Sequence, residues 1–129
     1  MADAPFDLHR TYVHLSPNGE GRPLSVDDQF WATIAIRTEL HEGYLVTRSR
    51  MTEDWPHWEM HPEGEELLVL LAGSIDLELD DGQQQWTVAL RPNAGAWLNR
   101  RGVWHRALVH EPSDVLLVTA GRGTQHRPA

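Results

Sequence analysis

Short segments in which apolar and polar residues alternate fill the chain from residue 43 onward, with turn residues between them. Residues 74–79 alternate throughout, as a strand with one solvent-facing side does. Asp80-Asp-Gly82 supplies turn residues before 85–90, so these two segments are predicted to form a hairpin. The connections leave no room for crossover helices, so the pattern predicts an all-β fold, an antiparallel sandwich or small barrel. The remaining strands are predicted at 44–50, 67–71, 95–98, 103–109 and 114–120.

The beginning of the chain has a different pattern. Residues 1–24 are interrupted by Pro and Gly, which predicts an extended N-terminal arm or loop before a single barrel domain over residues 25–129. Ser25, followed by Asp27 and Asp28, can cap one short helix that runs through Ile34. A strand in that region fits the sequence nearly as well.

The segment 67–71 (Leu-Leu-Val-Leu-Leu) is apolar at every position. An antiparallel strand of this kind has to be covered on both faces. One face is expected to line the interior of the barrel. The other needs a second sheet of the same chain or a partner subunit, and of these two we favour a homodimer.

Composition and charge restrict the chemistry. The 129 residues suit one domain, and the chain has no Cys, which excludes disulfides and thiolate metal ligands. All 11 basic residues are Arg, so a Schiff-base lysine is excluded too. The net charge of -8 disfavours nucleic acid as a partner. No apolar run approaches the roughly 20 residues that cross a bilayer, and the N-terminus is unlike a secretory signal. We therefore expect a cytoplasmic protein that does not bind membranes.

Four side chains that can bind metal lie close together in the sequence: His57, Glu59, His61 and Glu66. Residues two apart in a strand share a face, so Glu59 and His61 are expected to point the same way. His57 joins them if the strand starts early enough, although a place at the rim of the pocket fits it better. A charged loop with one hydrogen-bonded His has the same composition, so both interpretations stay open at this point.

The spacing of these residues resembles a known family. His61, four residues, Glu66, six residues and Gly73 is similar to the second half of the first motif of the cupin superfamily. Gly102-Val-Trp-His105 resembles the Gly and His of the second cupin motif. The resemblance extends over about residues 55–120 and implies a double-stranded β-helix, or jelly-roll barrel.

The sequence departs from the cupin pattern at three positions. Glu59 occupies the place of the first motif His, Arg100 the place of a Pro, and Val109 the place of a trailing Asn. Residues 58–66 (Trp-Glu-Met-His-Pro-Glu-Gly-Glu-Glu) further resemble a subgroup of small single-domain cupins.

The resemblance implies a metal site made of Glu59, His61, Glu66 and His105. Imidazole and carboxylate ligands suit a divalent ion such as Fe, Mn, Ni or Zn. Glu59 is then a fourth ligand or a catalytic general base beside the ion.

Residues outside the motifs are candidates for substrate binding. Arg48 can hold an anionic substrate, although a solvated strand face is the simpler interpretation. Trp97 and Asn99 share a strand face ahead of His105 and can line the pocket, although Trp97 also suits the core. His126 can fold back over the barrel mouth, but disorder is the usual state so close to a terminus.

Cupins include dioxygenases, isomerases and lyases, so the resemblance implies a metal-dependent protein that acts on a small organic molecule. A non-catalytic module that binds a small ligand, with or without metal, is the alternative. The cupin fold carries many unrelated activities, so it does not choose between them.

Overall fold

The computed structural model describes residues 4–129, and within them strands dominate. The strands are β1 (Thr11–Leu15), β2 (Gly21–Ser25), β3 (Tyr44–Met51), β4 (His57–Met60), β5 (Glu66–Asp80), β6 (Gln85–Leu90), β7 (Ala96–Asn99), β8 (Trp104–Thr119) and β9 (Gln125–Pro128). One four-residue helix, α1 (Phe30–Thr33), and two 3-10 turns (Ile34–Ile36 and Thr38–Leu40) lie between β2 and β3. All pairings between these strands are antiparallel, which confirms the predicted all-β jelly roll.

Two long strands, β5 and β8, pair with each other along most of their length and belong to two sheets. In the first sheet, the second half of β8 pairs with β3 on one side and with the first half of β5 on the other. Strand β7 pairs with β5, and β1 and then β2 extend the sheet beyond β3. The first half of β8 pairs with the second half of β5, whose other neighbour is β6. On the far side of β8, β4 and then β9 complete the second sheet.

The two sheets meet where β5 and β8 bend. The pairing of β5 with β8 shifts register between Leu70 and Ile75, which marks bulges in this region. Gly73 has a φ of 97°, and a Cβ atom there would collide with Ser113. The Ser113 hydroxyl in turn accepts the backbone N–H of Ser74 at 3.0 Å. A glycine is therefore required at this corner by both conformation and space.

The inner faces of the two sheets share one core. It includes Leu68 and Val115 from the first sheet and Leu77 and Ala107 from the second, each fully buried. The pattern along 74–79 is the predicted one, since Ile75, Leu77 and Leu79 face inward. The predicted hairpin is present too, with β5 and β6 paired across the turn at 81–84. A smaller core under α1 joins Tyr12, Leu24, Phe30, Leu40 and Leu45.

Within the predicted N-terminal arm, residues 11–24 form strands and a turn instead of an extended loop, and residues 1–3 lie outside the described part of the chain. The Ser-Pro-Asn-Gly sequence at 16–19 is the turn of a hairpin, β1–β2, whose first strand pairs with β3. Pro23 lacks a backbone N–H and is accommodated because β2 is an edge strand. The short helix is present, but Ser25 does not cap it: Ser25 ends β2, and the N-cap residue is Gln29.

The inner core covers one face of the apolar segment 67–71, and the other face is partly exposed. Leu68 and Leu70 point inward and are buried, whereas Leu71 is 44% exposed on the outer side. Leu98, on the adjacent β7, is 41% exposed. Among residues 4–129, no helix is long and apolar enough to cross a membrane.

Candidate metal centre

Four chain segments bring the predicted ligands together between the two sheets: Glu59 and His105 come from the second sheet and Glu66 from the first. Glu59 lies in β4, directly paired with His105 near the start of β8. His61 follows the end of β4, and Glu66 is the first residue of β5. His105, Glu66 and His61 are at most 3% exposed, and Glu59 is partly buried.

The donor atoms of these side chains converge. Nε2 of His61 and Nε2 of His105 lie 3.2 Å from Oε2 and Oε1 of Glu66, respectively. Oε2 of Glu59 lies 4.0 Å from Nε2 of His105. One donor atom from each of Glu59, His61 and His105 falls within 4.8 Å of the others.

Several of these buried atoms have no hydrogen-bond partner within the described part of the chain: Nε2 of His61, Nε2 of His105 and Oε1 of Glu66. The imidazole nitrogens and carboxylate oxygens in these 3.2 Å contacts are close, but the angles between the groups are not those of hydrogen bonds. Buried polar atoms are nearly always satisfied, because leaving one unpaired costs about 1–3 kcal/mol. An ion at their centre would satisfy all three, so the residues fit a divalent metal.

Neighbouring side chains fix the orientation of His61 and Glu66. Nδ1 of His61 lies 2.9 Å from the hydroxyl of Thr124, which donates its proton to the Gly121 carbonyl at 2.8 Å. The hydroxyl therefore accepts from Nδ1–H, and a neutral His61 keeps the Nε2 lone pair that a metal needs. The hydroxyl of Thr119 donates to Oε2 of Glu66 at 2.6 Å.

Asn99 fixes the orientation of the His105 ring. Its Nδ2 lies 2.7 Å from Nδ1 of His105, and in this amide orientation the ring proton belongs on Nε2. Turning the amide by 180° offers Oδ1 to Nδ1–H and leaves the Nε2 lone pair directed at Glu66. A metal-bound His105 requires the second orientation.

Electrostatics inside the cluster favour a cation. Burial acts to raise the pKa of Glu66, but the contacts with His105 and His61 outweigh it and hold that pKa well below its ordinary range. Burial acts to lower the pKa of His61, and the nearby Glu66 outweighs it, so that pKa is raised. Both directions have the same cause, the close approach of the imidazoles to the Glu66 carboxylate, and a carboxylate favours positive charge beside it.

The sequence matches no profile of a known protein family and no curated protein. Solved structures do resemble it. Peruvianin-I, a cysteine peptidase from Thevetia peruviana latex, has a TM-score of 0.54 at 14% identity over 67% of this chain and 56% of that chain. Hydroquinone 1,2-dioxygenase PnpCD, in complex with Cd2+ and 4-hydroxybenzonitrile, has a TM-score of 0.50 at 18% identity over 59% and 56%. Iron(II) HppE, in complex with substrate, has a TM-score of 0.50 at 16% identity over 59% and 42%.

The dioxygenase and HppE are cupin-fold proteins. The chain has the cupin fold. At these identities the likeness concerns the fold alone, and the chain spans only about half the length of the three structures. Within the cupin barrel, the spacing of the two motifs brings together the four side chains that the resemblance implied.

Glu59 also faces a second pair of histidines at the mouth of the cupin barrel. Its Oε1 atom lies 3.6 Å from Nε2 of His57 and 3.4 Å from Nε2 of His126. His126 arrives there because the C-terminal residues form β9, in which His126 pairs directly with Glu59. The sequence gives little sign of this strand, since Gln-His-Arg-Pro does not alternate.

The three predicted substrate residues have different positions in the cupin barrel. Trp97 and Asn99 point inward, and both the indole N–H of Trp97 and Oδ1 of Asn99 are buried without a partner in residues 4–129. The structure does not bring Arg48 to the cluster. Arg48 lies on the opposite face of β3 from buried Thr47, and its guanidinium makes a bidentate ion pair with Asp114.

Proposed function

We propose that this cupin is a metal-dependent protein that binds or transforms a small organic molecule at the centre formed by Glu59, His61, Glu66 and His105. The observation that carries the proposal is the convergence of buried donor atoms of His61, Glu66 and His105 that lack hydrogen-bond partners among residues 4–129. Such a set is costly in a metal-free core and is accounted for by a bound ion.

The residues have distinct roles in this proposal. His61, Glu66 and His105 hold the ion, which suits Fe, Mn, Ni or Zn because imidazole and carboxylate ligands accommodate all four. When bound, the ion supplies Lewis-acid or oxygen-activating chemistry. Glu59 is the most exposed of the four and lies farther from His105 than Glu66 does, so it serves as a fourth ligand or as the base that removes a substrate proton.

The inward polar atoms of β7 support a small polar ligand. The buried indole N–H of Trp97 can donate a hydrogen bond to an oxygen of that ligand. Asn99 acts chiefly by holding His105, and its second amide atom has no partner in the part of the chain that the structure describes. Two of the similar structures hold a small molecule together with Cd2+ or iron(II), which favours the same class of ligand here.

Binding and turnover can be separated by one experiment. Protein stripped with chelator and then reconstituted with each of the four ions is incubated with a panel of small acids, diketones, phenols and sugars. Turnover that needs metal and is lost in His105→Ala supports an enzyme, and saturable metal-dependent binding without turnover supports a ligand-binding cupin. His110→Ala is the matched control, because His110 is exposed and pairs with Asp76. Ligand effects that are identical with and without metal would contradict the proposal.

We also propose that the protein forms a homodimer through the outer side of β5. Leu71 and Leu98 are large apolar residues that remain exposed on adjacent strands of this face. Light scattering coupled to gel filtration should give the dimer mass, and Leu71→Glu should give the monomer. A monomeric wild-type chain at micromolar concentration would contradict the prediction.

A further inference from the structure

Glu59 has one carboxylate oxygen facing each of two histidine pairs. Its Oε2 atom lies 4.0 Å from Nε2 of His105, within the cluster described above. Its Oε1 atom lies toward His57 and His126 on the solvent side. Donor atoms of His57, Glu59 and His126 all lie within 4.8 Å of one another.

We propose that His57, Glu59 and His126 form a second divalent-metal site at the mouth of the barrel, with Glu59 shared between the two sites. Two imidazoles and one carboxylate are a ligand set typical of Zn and related ions. The outer site needs only its own three side chains, so it stands whether or not the inner centre binds metal. Only the sharing of Glu59 rests on the proposed function.

The two donor separations measured from Glu59 suit an ion, and the donor atoms of His57 and His126 lie within 4.8 Å of each other. With metal–ligand bonds of about 2.0–2.2 Å, a tetrahedral ion holds its ligand atoms ~3.4 Å apart. The observed separations from Oε1 of Glu59 are 3.4 Å to His126 and 3.6 Å to His57. The side chains of His57 and His126 are 40% and 54% exposed, so an ion bound between them would be open to solvent.

The contacts of Glu59 with these histidines are not hydrogen bonds. Neither imidazole of the pair donates to Oε1 with hydrogen-bond geometry in the described part of the chain, and a separation of 3.6 Å is too long for one. The two rings meet edge to face, with centroids 5.0 Å apart. The Nε2 atoms of His57 and His126 therefore lie close to Oε1 of Glu59 without forming hydrogen bonds to it. Ligand atoms that surround a metal ion have the same arrangement.

The backbone positions the three ligands for this purpose. His57 and Glu59 are two apart on β4 and share a face, and Glu59 lies opposite His126 in the β4–β9 pairing. Arg127 anchors β9 on the other face through Asp80 and the rings of Trp58 and Trp104. The site is thus built on paired strands and not on a free tail.

Zinc stoichiometry tests the site directly. Protein without a histidine tag is stripped with chelator, dialysed against low-micromolar ZnCl2 and analysed for zinc per chain by plasma mass spectrometry. The wild type should hold two ions, and His126→Ala and His57→Ala should each hold one fewer. His110→Ala, which removes an exposed imidazole elsewhere, should match the wild type. Far-UV circular dichroism confirms that each variant is folded.

The outcomes separate the outer site from the inner one. If His126→Ala and His57→Ala are folded and hold as much zinc as the wild type, the outer site does not exist. Loss of one ion in His126→Ala with no loss in His61→Ala supports the outer site and contradicts the inner one. Loss of one ion in each supports both. An equal loss in His110→Ala would show surface binding only and would overturn the proposal.

Discussion

One side chain, that of Arg127, adds three contacts to the backbone pairing that holds β9 against the barrel. The guanidinium of Arg127 lies 4.9 Å from the centroid of the Trp58 ring and 4.6 Å from that of Trp104. Its Nη2 atom also donates to Oδ2 of Asp80 at 2.6 Å. Arg127→Ala removes all three contacts and leaves the β4–β9 backbone pairing as the main attachment.

The expected size of the effect follows from these contacts. Each cation–π contact at an exposed site contributes about 0.5–1 kcal/mol, and the partly exposed ion pair with Asp80 adds little, so the total is about 1–2 kcal/mol. Local opening of β9 should therefore become about 5–30 times more frequent in Arg127→Ala. Native-state hydrogen exchange at the backbone amides of residues 125–127 measures this opening.

Two control variants make the result interpretable. Arg122→Ala removes an exposed arginine five residues earlier and should leave exchange in β9 unchanged. Arg127→Lys keeps the charge but lacks the planar group that stacks on the rings, so it should be intermediate. Unchanged exchange in Arg127→Ala, or equal acceleration in Arg122→Ala, would show that the Arg127 contacts do not hold β9 in place.

Two other predictions concern the packing of the core and the pKa of Asp80. Leu77 is fully buried, so Leu77→Ala should lower the free energy of unfolding by about 2–5 kcal/mol in urea with an unchanged slope, and a loss under ~1 kcal/mol would contradict the packing. The hydrogen bond from Arg127, together with that from the Gly82 N–H, lowers the pKa of Asp80 below its ordinary 3.8. The stabilisation from this carboxylate is thus present above pH 3.8 and lost as the pH falls through the lowered pKa. An NMR titration of Asp80 should have its midpoint below 3.8 and move upward in Arg127→Ala; an unchanged midpoint in the variant would contradict the contact.

Much of the barrel could be predicted because strand signals are local. The alternation along 74–79 and the Asp-Asp-Gly turn are enough to define β5 and β6 in this region. The N-terminal hairpin was missed because its strands are short and one contains Pro23, so their pairing depends on β3. Strand β9 has no alternation at all and forms by pairing with β4. The domain boundary after residue 24 and the cytoplasmic location stay predictions.

In the site, too, the residues within sequence motifs could be predicted, whereas contacts that depend on the tertiary fold could not. Motif spacing indicated which residues meet, and His61, Glu66 and His105 do lie together. For Arg48, the period of two showed that it shares a face with Arg50 but not which face is inside. The contact of His126 with Glu59 could not be predicted, because the position of a terminal strand depends on partners distant in sequence.

The metal content of the protein purified without a nickel column decides whether His61, Glu66 and His105 form a metal centre. It is determined by plasma mass spectrometry beside His61→Ala prepared in parallel. We expect the wild type to contain one ion more per chain than His61→Ala, and the identity of that ion directs the choice of assays. Equal metal content in the two proteins, before and after reconstitution, would contradict a metal centre at His61, Glu66 and His105.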